Sequence, residues 1–164
     1  MSNVLELAAG VPSSGPLADA LQMRGKLMDL TQGSYEAALL PQDAGNLPAS
    51  LRAVLACRMA RLCQQEGLTQ HYASLLTSYD EEADPYGLAE PGRTPPADNV
   101  RLTAIVNYVD LVTQRPKDAS EHTIASLREA GIEEADIVRL AGLVAFINYQ
   151  LRVAAVLHVM GKGA

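Results

Sequence analysis

Residues 133–160 read EEADIVRLAGLVAFINYQLRVAAVLHVM, and what this stretch forms decides the fold. Acidic residues open it, where the positive end of a helix favours them, and Gly131 just upstream is placed to close a preceding helix. Its middle is apolar on nearly every side of a 3.6-residue period. The stretch therefore reads as one long helix at the centre of the core. Its most apolar tract, residues 140–147, stops at Asn148, Tyr149, Gln150 and Arg152, short of the ~20 residues a membrane-spanning helix needs. A buried helix rather than a membrane anchor is the expectation.

Working outward, helix follows helix. Ser120 is placed to cap EHTIASLREA (121–130), which Gly131 ends. Asp98 reads as the cap of NVRLTAIVNYVDLVTQ (99–114), which Pro116 stops after Arg115. Residues 80–99 carry Pro85, Gly87, Pro91, Gly92, Pro95 and Pro96, and so form a long loop without regular structure. Pro48 opens PASLRAVLACRMARLC (48–63), with Leu51, Val54, Leu55, Met59 and Leu62 on one face. Gly67 reads as its left-handed stop and Thr69 as the cap of QHYASLLTSY (70–79), with one continuous helix that tolerates the glycine as the competing reading. GPLADALQMRGKLMDL (15–30) reads as one helix with Pro16 in its first turn, SYEAALL (34–40) as a short helical turn, and PQDAGN (41–46) as loop. Residues 1–16 read as an N-terminal arm. No strand pattern survives, so the fold class is all-α, a multihelical bundle forming a single domain over residues 1–164.

The 164 residues suffice for one hydrophobic core. The formal net charge of −6, from 13 basic and 19 acidic side chains without a basic cluster, disfavours nucleic acid and anionic membranes as partners. The first residues lack the basic region of a secretory signal, and two cysteines without metal-type spacing point to a reducing cytoplasm.

The stretch RLCQQEGLTQHY (61–72) carries the candidate chemistry. Cys57 and Cys63 on one helix lie ~9 Å apart along its axis and ~240° apart around it. A disulfide between them is excluded, because Cα atoms beyond ~7 Å cannot be bridged without backbone movement. Cys57 reads as a small buried hydrophobe. Cys63 reads as accessible but inert, since Glu66 would raise its pKa and Arg61 is the sole cation near it in sequence. His71, in a polar setting, is either a proton donor and acceptor near neutral pH or a structural group bonded to a carbonyl. His122 and His158 read as surface or packing groups. No metal-ligand spacing, glycine-rich phosphate loop or nucleophile elbow is present, so neither a metal nor a cofactor is expected.

The stretches LPASLRAVLACRMARLCQQEGLTQHYASLL (47–76) and LREAGIEEADIVRLAGLVAFINYQLRVAAVL (127–157) resemble the carboxymuconolactone decarboxylase and alkylhydroperoxidase D-like superfamily. The likeness is to its uncharacterised peroxidase-related branch, through Phe146, Asn148, Tyr149 and Arg152. This resemblance implies an alkylhydroperoxidase D-like bundle that assembles as a homo-oligomer, a trimer or hexamer, with its site near the thiol-bearing helix. In peroxidase members a C-x-x-C pair precedes a histidine by four residues, and a glutamate lies twelve residues before the first cysteine. With the histidine on His71, the cysteine positions fall on Gln64 and Gly67 and the glutamate position on Arg52. Only the histidine matches, with Cys63 one residue before the expected first thiol.

Three readings follow from this. One is a peroxidase-related, antioxidant enzyme using Cys63 and His71. Another is a cofactor-free acid–base enzyme acting on a small organic acid or lactone through His71, with Glu66 or Tyr72. The last is a non-catalytic oligomeric subunit or small-molecule binding protein. The apolar circumference of the final helix argues for self-association, with the 80–99 loop or the N-terminal arm crossing to a neighbour. Arg152, within that helix, is expected to find a carboxylate or several carbonyls, with Glu36, Asp110 or an acid of another subunit as the candidate acids.

Overall fold

The computed structural model describes residues 3–162, the Glu81 side chain excepted; the first two residues of the expected arm and the last two of the expected domain lie outside it. Among the described residues there are eight α-helices, two 3-10 turns at Glu81–Ala83 and Pro116–Asp118, and no strand. The helices are α1 (Val4–Ala9), α2 (Pro16–Met23), α3 (Gly25–Leu39), α4 (Ala49–Leu62), α5 (Glu66–Leu76), α6 (Val100–Gln114), α7 (Glu121–Glu129) and α8 (Glu134–Lys162).

The centre of the bundle is α4, and this corrects the expectation for α8. All nine residues from Arg52 to Ala60 are buried, because α4 packs against α3, α5, α6 and α8 at once. α8 buries one side, including Leu140, Leu143, Ile147, Leu151 and Ala154, while Val138, Tyr149, Val156 and Val159 on its other side remain exposed. Its apolar residues continue past Arg152, so the 29-residue helix is long and apolar enough to cross a membrane by length and composition alone. Half of its most apolar window is buried within the bundle.

The expected arm contains a helix docked on the body. The Asn3 carboxamide accepts from Leu5 N at 2.8 Å and donates to Met28 O of α3 at 2.6 Å, while Leu5 and Ala9 enter the core. Residues 15–30 form two helices, not one. The chain bends at Arg24, and α3 then runs to Leu39, absorbing the stretch expected as a separate turn.

Gly67 does not stop α4. Gln64 takes the left-handed conformation instead (φ 53°), and Gln65, not Thr69, caps α5 by accepting from Leu68 N at 2.8 Å. Gly67 lies inside α5 where α1 crosses it, and a Cβ there would fall 1.7 Å from Ala8 O. The absence of a side chain there is required by a neighbouring backbone, not by backbone dihedrals. The α6 cap is Asn99, which accepts from Leu102 N, in place of Asp98. Ser120 and Thr123 form a reciprocal capping box at α7, and Gly131 (φ 79°) closes that helix with Ile132 N donating to Leu127 O.

Two buried arginines hold the loops. Arg52 donates to three carbonyls, Leu47 O at 2.7 Å, Ala38 O at 2.9 Å and Ala44 O at 3.0 Å, and so secures the α3–α4 connection. Arg58 grips the Asp110 carboxylate through Nε at 2.6 Å and Nη2 at 2.7 Å. Its Nη1 reaches the carbonyls of Leu88, Glu90 and Arg93. Residues 80–99 are thereby pinned to α4 and α6, with Leu88, Ala89 and Pro95 buried.

Candidate functional site

His71 sits in the middle of α5, half-buried between two tyrosine rings. Tyr35, from α3, places its hydroxyl 2.9 Å from Nε2, and the two rings meet edge to face at 5.5 Å. The Tyr72 ring lies edge-on at 5.1 Å. Burial pushes the imidazole pKa below its ordinary 6.5, so near neutral pH the ring is uncharged. Burial raises the Tyr35 phenol, with Tyr79 and Glu36 adding to the effect. The protonation states that coexist at pH 7 are thus neutral phenol and neutral imidazole, hydrogen-bonded through the phenol oxygen and Nε2.

The other sequence candidates point elsewhere. Tyr72 is fully buried, and its hydroxyl donates to Gln150 of α8. Glu66 opens α5 on the surface, where its carboxylate accepts from Gln70 Nε2 at 2.9 Å. Cys63 caps the end of α4 and is exposed, with no hydrogen bond to His71. Its thiol pKa is raised, and the cause is partial burial, opposed by the charge of Arg152, where Glu66 and Arg61 were the expected influences. Arg61 pairs with Glu90 at 2.9 Å. Cys57 is wholly buried with its thiol likewise raised by burial.

Arg152 finds a carbonyl and a carboxamide oxygen rather than an acid of its own chain. It is exposed, and it donates to Asn148 O at 2.9 Å and Asn148 Oδ1 at 3.0 Å on its own helix. Asp110, one of its expected partners, belongs to Arg58. An exposed guanidinium carries no desolvation cost that would demand a carboxylate.

Sequence reasoning missed Tyr35. It falls on the stripe Met28, Thr31, Tyr35 and Leu39, the buried face of α3, and such a stripe reads as core; nothing local announces a partner 36 residues away. A cleft of about 940 Å³ opens between α1 and the α2–α3 pair. Leu7, Leu21 and Met28 supply apolar wall, and Glu6, Asp29 and Glu36 supply carboxylates. None of Cys63, Glu66, His71 or Tyr72 lines it. Among the described residues no group of histidine, cysteine and acidic side chains is arranged to hold a metal ion.

The fold is similar to that of an uncharacterized peroxidase-related protein from Silicibacter sp. TM1040, with 18% sequence identity over 89% of this chain and 86% of that one, at a TM-score of 0.67. No family model matches the chain, and no curated protein does. The structural likeness establishes the all-α architecture.

Proposed function

We propose that this chain is a peroxidase-related protein of the carboxymuconolactone decarboxylase and alkylhydroperoxidase D-like superfamily whose thiol site has degenerated, so that it binds a small organic molecule without turning over hydroperoxide. The observation that carries the reading is the separation of the two thiols. Cys57 is 0% exposed in the core, and Cys63 is exposed beside Arg152. Peroxide reduction needs one thiolate to attack and a second thiol within reach to resolve the sulfenic acid. Arg52 adds support, because a guanidinium bound to three carbonyls stands at the position of the glutamate in the resemblance and cannot accept a proton. We assign the ligand to the cleft between α1 and α3, whose volume suits a small molecule. Free cysteines favour a cytoplasmic setting.

The test is hydroperoxide consumption with a dithiol reductant. The expected result is no turnover above the reductant's own background. Catalytic consumption by the wild type that Cys63→Ser alone removes would overturn the reading and make Cys63 and His71 the working pair.

One observation favours acid–base chemistry as a second reading. His71 is held neutral and paired with a phenol, the state a general base requires. In this reading Tyr35 takes the place expected for Glu66 or Tyr72.

A further inference from the structure

We infer that the molecule held in the cleft between α1 and the α2–α3 pair is a linear aliphatic diamine, its two ammonium groups on carboxylates of α3 and its methylene chain on the apolar wall. This rests on the reading of the chain as a small-molecule binding protein and adds the chemical class of the ligand. The cleft side of α3 carries Gly25, Met28, Asp29, Gln32, Gly33 and Glu36, at the three- and four-residue steps of a single helix face. Gly33 lies in the middle of that helix, where glycine is less stable than alanine. Nothing within the chain accounts for it. A Cβ built on Gly33, or on Gly25 at the start of the helix, would meet no atom within 4 Å, and neither residue takes a positive φ. Gly67, by contrast, is explained by the backbone of Ala8. The two glycines therefore leave one wall of a cleft of about 940 Å³ bare of side chains, open to an occupant from outside the chain.

Charge selects the class of that occupant. Asp29 and Glu36 are seven residues apart, which sets them on one side of α3 and ~10 Å apart along its axis, and Glu6 of α1 adds a third carboxylate to the cleft. No lysine or arginine lines it, and among the described residues none of the three acids forms an ion pair. Gln32 orients one end. Its Oε1 accepts from Val4 N at 3.2 Å, so its Nε2 is the group that donates to Glu36 Oε1, also at 3.2 Å. A carboxylate offers about four lone-pair sites, and Glu36 so held keeps acceptors for an ammonium. Between the two acids the cleft is apolar: Met28 forms part of the wall, and Leu7, 67% exposed, is covered once a methylene chain lies on it. An anionic ligand would meet three like charges in a chain whose net charge is −6. A monoamine would answer one end and leave the other acid without a partner. Two acids separated by apolar wall fit an ammonium at each end of a methylene chain.

The test is calorimetric titration of the full chain with octamethylenediamine, against octylamine, suberate and octanol. The diamine is expected to bind at one site per chain, about tenfold tighter than octylamine, and more weakly as sodium chloride is raised. Asp29→Asn and Glu36→Gln are each expected to reduce its affinity to near that of octylamine. Gly33→Leu tests the geometry, because its side chain enters the cleft and meets nothing else in the chain. It is expected to abolish binding while raising the midpoint of urea unfolding, since leucine is the better helix former. Tighter binding of suberate or octanol that Gly33→Leu removes would overturn the diamine and leave the cleft as the ligand site. Diamine binding indifferent to Gly33→Leu or to both amide variants would place it elsewhere on the surface and overturn the proposal, as would binding of an oligolysine peptide with none of the diamine. Failure of all four probes to bind would overturn the diamine and the cleft together.

Discussion

Tyr35 and His71, 36 positions apart in the chain, meet with the phenol oxygen 2.9 Å from imidazole Nε2, and this contact ties α3 to α5. Burial between the Tyr35 and Tyr72 rings holds the imidazole pKa below its ordinary value. In the tautomer that carries its proton on Nδ1, the hydroxyl donates to the Nε2 lone pair, which protonation of the ring removes.

The first prediction concerns pH. Burial lowers the folded His71 pKa below the 6.5 of the free side chain, so as pH falls the unfolded chain takes up this proton first. The stability that rests on neutral His71 is complete above about pH 6.5 and is lost as pH drops through the window between that value and the folded pKa. NMR titration is expected to report a midpoint below 6.5. Tyr35→Phe is expected to raise that midpoint and to cost about 1 kcal/mol of stability. An unchanged midpoint in Tyr35→Phe would show that the hydroxyl does not bear on the titration.

Thiol reactivity gives a second. Cys63 is accessible with its thiol held above 9.0, and Cys57 is buried with its thiol raised by the same cause. Native protein is expected to take up a single equivalent of iodoacetamide, at Cys63, slowly at neutral pH and faster as pH rises. Arg152→Ala withdraws the cation that favours the thiolate and is expected to slow the reaction further. Mass spectrometry of tryptic peptides counts the modified sites. Rapid labelling at pH 7 would show an activated thiol.

Gly67 supplies the third, through close approach of backbones. A methyl at this position would meet Ala8 O at 1.7 Å, an impossible contact, so α1 must move away from α5. The helix-propensity gain of alanine over glycine, about 1 kcal/mol, is outweighed by a packing loss of about 2–3 kcal/mol. Gly67→Ala is expected to lower the midpoint of urea unfolding and to speed hydrogen exchange in residues 4–9. An unaffected midpoint would show that α1 and α5 do not approach this closely.

The last prediction concerns the clamp on residues 80–99. Arg58→Met leaves the Asp110 carboxylate without its cation and strips three carbonyls of their donor, at a cost of about 3 kcal/mol. Limited proteolysis is expected to cut within residues 84–96 of this variant and to spare the wild type. Adding Asp110→Leu is expected to recover part of the stability, because it removes the stranded charge, without restoring protection of the loop. Equal protection in Arg58→Met would show that the loop is held by Leu88 and Pro95 alone.

Local chemistry determined the helical class and several helix ends. Pro48, Pro116, Ser120 and Gly131 act within one turn of themselves, through φ restriction, a missing N–H, a side-chain cap or a left-handed residue, so their effect is written in neighbouring positions. The burial of Cys57 followed from its place beside an apolar face. Tertiary structure decided which helix became the centre, because apolar periodicity states which faces seek cover but not how many neighbours supply it: α4, with two arginines among its buried residues, is enclosed, while the more apolar α8 keeps one side open. Gly67 shows the same limit. A glycine that ends a helix and a glycine that lets another backbone approach are the same residue in sequence, and only the position of Ala8 separates them. The partners of His71, Arg52, Arg58 and Tyr72 were fixed in the same way, since each lies on another segment of the chain and no spacing within α4 or α5 encodes the distance to it.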